Sequence, residues 1–126
     1  MSNQIEEKFL KNFDIEKKYV VALSGGVDSA VLAFLAKKFS NNVRAIFINH
    51  NQKHSDQLET QARVIAEKLK IDFIAIPTSI EPNSSETHMR KVRIQKLHKS
   101  IKDNEYILFG HTLSDKAETF LMNLFR

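Results

Sequence analysis

Four times along this chain of 126 residues, a short apolar, β-branched run gives way to a longer stretch with apolar residues at helical spacing. Residues 19–23, 43–48, 73–76 and 106–109 predict strands. Residues 27–39, 56–70 and 83–101 predict the helices between them, and the spacing of Ala117, Phe120, Leu121, Leu124 and Phe125 predicts one more. Successive parallel strands need a crossover of a dozen residues or more, which these helices supply. The expected fold is therefore α/β: a doubly wound, mostly parallel sheet with helices on both faces. The strands are apolar on both sides, as a doubly covered sheet requires. Ile5, Phe9 and Phe13 share one helical face, so residues 3–13 predict a short amphipathic helix ahead of the sheet. Asp56 with Glu59, Asn83 with Glu86, and Ser114 are read as helix-start signals. The expected buried stripes are Leu58, Ala62, Ile65, Ala66 and Leu69 on one helix, and Val92, Leu97 and Ile101 on the next.

In such a sheet, ligands sit beyond the carboxyl ends of the strands, where the strand order reverses. The loops at 24–28, 49–55, 77–85 and 110–114 should therefore share one edge. The first of them begins Ser24-Gly25-Gly26-Val27-Asp28-Ser29, directly after a strand and directly before a helix. Two glycines let the backbone turn sharply and bring its N–H groups close to a ligand. The helix start adds free N–H groups and partial positive charge, so the segment predicts a phosphate cradle. Ser24 and Ser29 offer hydroxyls. Asp28 repels phosphate by itself and makes sense if Mg²⁺ bridges its carboxylate to phosphate oxygens. A Walker loop needs Lys-Ser/Thr where Asp28-Ser29 stands, and a dinucleotide fingerprint needs three spaced glycines. A plain strand-to-helix turn is the alternative.

The chain has no cysteine, which excludes a disulfide framework, a thiolate zinc site and a catalytic thiol. No apolar run approaches the ~20 residues that span a bilayer, and the first residues lack a signal-peptide core, so no membrane partner and a cytoplasmic location are expected. The net charge of +4 suits anionic partners, nucleotide or RNA, and equally suits a lysine-rich compositional habit.

Ser-Gly-Gly-x-Asp-Ser resembles the PP-loop of the N-type ATP pyrophosphatases, which implies a PP-loop, adenine-nucleotide-hydrolase-like version of the Rossmann-type sheet. Three further segments resemble tRNA(Ile)-lysidine synthetases. Asn49-His50 with Ser55 and Glu59 resembles Asn-His-Gly-Leu-Arg-x-x-Ser-x-x-x-Glu, from which Asn51, Gln52 and Lys53 depart. Glu86 with Arg90 and Arg93 resembles Glu-x-x-Ala-Arg-x-x-Arg-Tyr, with Met89 and Ile94 differing. Gly110-His111 with Asp115, Ala117, Glu118 and Thr119 resembles Gly-His-His-x-Asp-Asp-x-Ala-Glu-Thr, with Thr112 and Ser114 differing. The likeness runs from about residue 19 to residue 126. The tRNA 2-thiocytidine synthetases share the last segment, but their chemistry uses cysteines.

The resemblance implies ATP and Mg²⁺ as cofactors, and tRNA(Ile) and free lysine as substrates. A tRNA cytidine would be adenylated, and lysine would then displace AMP. It implies that residues 24–29 hold the pyrophosphate end of ATP, with Asp28 on the metal and Ile48 and His50 beside adenine or ribose. It implies that Arg90, Arg93 and His111 act at the phosphates, and that Asp115 and Glu118 serve a second metal or the lysine amine. Each has a plainer reading: a solvated basic face for the arginines, a helix cap for His111, favourable helix-start charge for Asp115 and Glu118. Family members continue with a fifth strand and tRNA-gripping regions, so a last strand is expected to be missing, and a single domain over 1–126 to be C-terminally incomplete or covered by a partner chain. An ATP-binding module without turnover, and an N-type pyrophosphatase acting on another substrate, remain as alternatives.

Overall fold

The computed structural model describes residues 6–7, 9–11 and 13–109. Four strands, β1 (Lys18–Ala22), β2 (Val43–Asn49), β3 (Asp72–Pro77) and β4 (Glu105–Leu108), form one sheet in the order β3-β2-β1-β4. All three pairings are parallel, as the alternation predicts. Helices α1 (Val27–Phe39), α2 (Ser55–Leu69) and α3 (Glu86–Ser100) make the crossovers.

The side-chain alternation of the central strands sorts the core into two layers. Tyr19, Val21 and Leu23 face the same way as Ala45 and Phe47, and pack with Val31 and Leu35 of α1 and Ala62 and Ala66 of α2. Val20, Ile46 and Ile48 face the other way and pack with Leu97 of α3. The order explains this split. From β1 through β2 to β3 the chain steps in one direction; for β4 it returns past β1. Right-handed crossovers put helices on opposite faces when that direction reverses. The reversal leaves a crevice over the carboxyl ends of β1 and β4.

Ahead of the sheet, residues 6, 7, 9 and 10 are helical, and Phe9 is buried in the larger layer. Phe13 joins it to Tyr19, each pair of ring centroids being 4.5 Å apart. Glu6 pairs with Lys38 of α1.

Several local expectations give way to the tertiary structure. β1 and β4 begin and end one residue earlier than the apolar runs suggest. Asp56 and Glu59 do not cap α2: its N-cap is His54, without a side-chain bond. Both carboxylates accept instead from Asn49 Nδ2, at 3.0 and 3.1 Å, so the strand end has drawn them away. Asn83 does not cap α3 either. That role falls to Ser85, whose Oγ accepts from His88 N at 3.1 Å, while Asn83 sits at φ 62° in the preceding turn. Leu58 is exposed rather than in the core stripe.

Candidate functional site

The glycine segment leaves β1 and becomes α1 within four residues. Gly25 has φ 84°, a region that side chains strongly disfavour. A Cβ there would lie 2.9 Å from the carbonyl oxygen of Leu58, so α2 lies directly against the turn. Gly26 is the N-cap of α1 and makes no side-chain cap. The start of an α-helix offers N–H groups and partial positive charge that suit an anion.

The serines fix this shape from within. Ser29 Oγ donates to Gly26 O at 3.2 Å and accepts from Ser24 N at 3.0 Å. The 3.0 Å contact between the two hydroxyls then has Ser24 as donor, and Ser24 Oγ accepts from Gly26 N at 3.3 Å. Ser29 is buried, with its hydroxyl engaged by the loop itself. Val27 and Asp28 sit in the first turn of α1, at the cavity.

That cavity has a volume of about 890 Å³, within the range of small-molecule sites. Ile46 and Ile48 contribute an apolar floor, and Phe109 closes the side beside β4. Another part of the lining carries charge. Glu86, Arg90 and Arg93 of α3 line it, four and three residues apart and so on one helical face. His50 comes to it from the end of β2.

Two atoms on this wall, His50 Nδ1 and Arg93 Nε, are buried with no hydrogen-bond partner among the described residues. Buried polar groups are nearly always paired, so these two point to a bound group. Burial lowers the pKa of His50, the nearby Arg93 lowers it further, and Glu86 opposes both. Burial likewise lowers that of Arg93, with Arg90 acting in the same sense and Glu86 against. An anion in the cavity would offset the burial of the Arg93 charge and favour a proton on His50.

The residues suit a nucleoside triphosphate. The glycine turn and helix start offer N–H groups to phosphates, Arg90 and Arg93 offer guanidinium groups at the same cavity, and the apolar floor suits a base. They suit Mg²⁺ only as a shared ion. Among the described residues no group of three or more His, Cys, Asp and Glu could cage a metal. An ion at Asp28 would complete its shell with phosphate oxygens and water, as Mg²⁺ commonly does.

Of the residues expected at the site, Ser24, Gly26, Val27, Asp28, Ser29, Ile48, His50, Arg90 and Arg93 line the one cavity, and Gly25 shapes it from beneath. His111, Asp115 and Glu118 lie outside the described residues. Sequence reasoning missed Gln52, Lys53, Leu58, Asn83, Met89 and Phe109, which also line the cavity. Lys53 had a weak signal, as a cation in a loop at the carboxyl edge of the sheet; Gln52 and Asn83 had none.

A parallel sheet with a glycine turn at its reversal point and arginines lining the same cavity is an α/β domain with features suited to phosphates. The chain belongs to the PP-loop domain family, which it matches over residues 1–126. It is 32% identical over 124 residues to the tRNA(Ile)-lysidine synthase of Actinobacillus pleuropneumoniae serotype 3 (strain JL03), covering 97% of this chain and 30% of that protein. It is 35% identical over 128 residues to the tRNA(Ile)-lysidine synthase of Coxiella burnetii, covering 94% and 28%. The chain thus spans under a third of these curated relatives' length. Among solved structures, the NH3-dependent NAD synthetase of Campylobacter jejuni superposes with a TM-score of 0.56 at 24% identity, over 83% of this chain and 51% of that one. That likeness concerns the fold.

Proposed function

We propose that this chain is the ATP-binding and base-activating part of a tRNA(Ile)-lysidine synthase, working in the cytoplasm. One observation carries the reading: the glycine cradle lines a single cavity together with Arg93, whose buried Nε has no hydrogen-bond partner among the described residues. The likeness to lysidine synthases over nearly the whole chain supplies the choice of substrate.

The triphosphate tail would lie along residues 24–29, with its β- and γ-oxygens on backbone N–H groups. The adenine would lie over Ile46 and Ile48, with His50 near the ribose. In the first step, the carbonyl oxygen on C2 of a tRNA cytidine forms a bond to the α-phosphorus, and the bond to the bridging oxygen breaks as pyrophosphate leaves. Arg90 and Arg93 would stabilise charge gathering on the α-phosphate, and the amides would stabilise the leaving group. Mg²⁺ held beside Asp28 would add Lewis-acid stabilisation of the phosphates. In the second step, the lysine amine bonds to C2, the C2–O bond breaks, AMP leaves and the amine loses a proton.

An assay for pyrophosphate and AMP tests this. The expected result is pyrophosphate release that needs ATP and tRNA(Ile), with AMP release that also needs lysine. Tight ATP binding without any release would instead make the chain a nucleotide-binding module. Failure to bind ATP at all would overturn the proposal.

A further inference from the structure

Gln52 joins the two loops that build the cationic wall. Its Nε2 donates to His50 O and to Glu81 O, both at 2.9 Å. Its Oε1 accepts from Asn83 N at 2.8 Å. One amide side chain thereby satisfies partners in its own loop and in a loop about thirty residues further on. The β2–α2 loop carries His50, and the β3–α3 loop leads through Ser85 into the helix that carries Arg90 and Arg93.

The surrounding backbone is shaped to receive it. Asn51 takes φ 56° and Asn83 takes φ 62°, conformations that Asn adopts more readily than other side chains. Asn51 N donates to Asn49 Oδ1 at 2.9 Å, which turns the chain back toward the sheet. Thr78 adds a second tie between the same loops, its N and Oγ1 both donating to Asn49 O, at 3.0 and 2.9 Å. Thr78 ties the loops at the strand ends. Gln52 ties them farther out, where it and Asn83 line the cavity.

We infer that Gln52 is a positioning residue that clamps the His50 loop to the start of α3, so that His50, Arg90 and Arg93 form one rigid wall against the nucleotide. The inference rests on the ATP-site reading above. A site holding a flexible anion gains affinity when its walls are ordered before the ligand arrives. Without the clamp, binding has to order two loops as well as the triphosphate.

ATP titration of the chain and of Gln52→Met tests it, because methionine keeps the length and loses all three bonds. The expected result is ATP binding weakened about tenfold, on the scale of one or two lost hydrogen bonds. In a His50→Ala background the Gln52→Met penalty should shrink by at least half, because the residue acts through the wall it positions. Full additivity would make Gln52 a direct ligand contact and overturn the positioning role. Equal affinity of Gln52→Met and the unsubstituted chain overturns the clamp while leaving the ATP site standing; no ATP binding by the unsubstituted chain overturns both. If Gln52→Met does not fold, hydrogen exchange on the unsubstituted chain decides. The Asn83 amide should exchange more slowly than an unstructured peptide, and exchange at the free-peptide rate overturns the clamp.

Discussion

The two ends of the sheet treat an arginine in opposite ways. At the amino edge, Arg44 gives Nε and Nη2 to the two oxygens of Glu105 at 2.8 Å each, and Nη2 also to Ser100 O at 3.0 Å. At the carboxyl edge, Arg93 buries an Nε with no partner, beside a second arginine. Proton affinity follows the surroundings. The hydrogen bond to Glu105 raises the pKa of Arg44, whereas burial, and then Arg90, lower that of Arg93. A cation that serves the fold is matched by the fold. A cation left unmatched at a cavity is matched by what enters it.

The largest expected effect strikes the matched end. Glu105→Gln should lower the unfolding free energy by about 2 kcal/mol at pH 7, the worth of a charge-assisted hydrogen bond at a largely buried pair. Urea unfolding measures it. The hydrogen bond from Arg44 holds the Glu105 carboxyl down to about 2, against an ordinary 4.5. A depressed carboxylate stabilises above its unfolded pKa and loses that contribution as pH falls toward its folded one. The gap between variant and parent should therefore close between about 4.5 and about 2. ATP affinity should not change, and a loss of it would break the contrast between the edges.

Arg93→Met should show the reverse signature. ATP affinity is expected to fall by about twentyfold, on the scale of a lost charge-assisted bond. Stability should stay within about 0.5 kcal/mol of the parent or rise, because an unpaired, partly buried charge has gone. Isothermal titration and urea unfolding on one preparation separate the two. Destabilisation as large as that of Glu105→Gln would make Arg93 a structural residue and erase the distinction.

Asp28→Asn sharpens the contrast on the cradle side, and its effect is smaller. Its cost should appear only with Mg²⁺: about tenfold in ATP affinity, equal to roughly 1.4 kcal/mol. With EDTA the difference should vanish or invert, since an uncharged residue repels phosphate less than a carboxylate does. An equal loss with and without Mg²⁺ would remove the metal from Asp28.

The two edges also differed in how well they could be read. The cradle was legible because its signals are local: a strand, two glycines and a helix in consecutive residues. The α1 helix spans the residues its apolar spacing predicted. Arg90 and Arg93 were legible in the same way, because a spacing of three puts them on one helical face. Contacts between distant residues were not legible. Arg44 and Glu105 are 61 positions apart, and Gln52 meets Glu81 and Asn83 across 29 and 31. Nothing in the local sequence marks such pairs. Asp56, Glu59 and Asn83 misled for a related reason. Residues that favour helix starts also hydrogen-bond elsewhere, and the strand end at Asn49 and the clamp at Gln52 won that competition. Leu58 fell on the apolar stripe by periodicity, yet it sits where α2 passes the glycine turn and faces the cavity.

The smallest expected effect, on pH, tests whether the two walls act as one site. Burial, and then Arg93, hold the His50 pKa below its usual 6.5, against a weaker pull from Glu86. Protonation therefore favours the unfolded chain, and stability should fall as pH drops through about 6.5 toward the folded value, then level off. A triphosphate beside His50 reverses the preference, since its negative charge favours the imidazolium. ATP binding should then take up protons in that same window, so affinity rises while the protein alone weakens. Calorimetry in buffers of different ionisation enthalpy reads the proton uptake directly. Comparison with His50→Asn removes the contribution of the nucleotide's own titration, because that contribution is common to both proteins. Equal proton uptake by the two would place the bound charge away from His50. The unpartnered wall would then be answering to something other than the ligand held by the cradle.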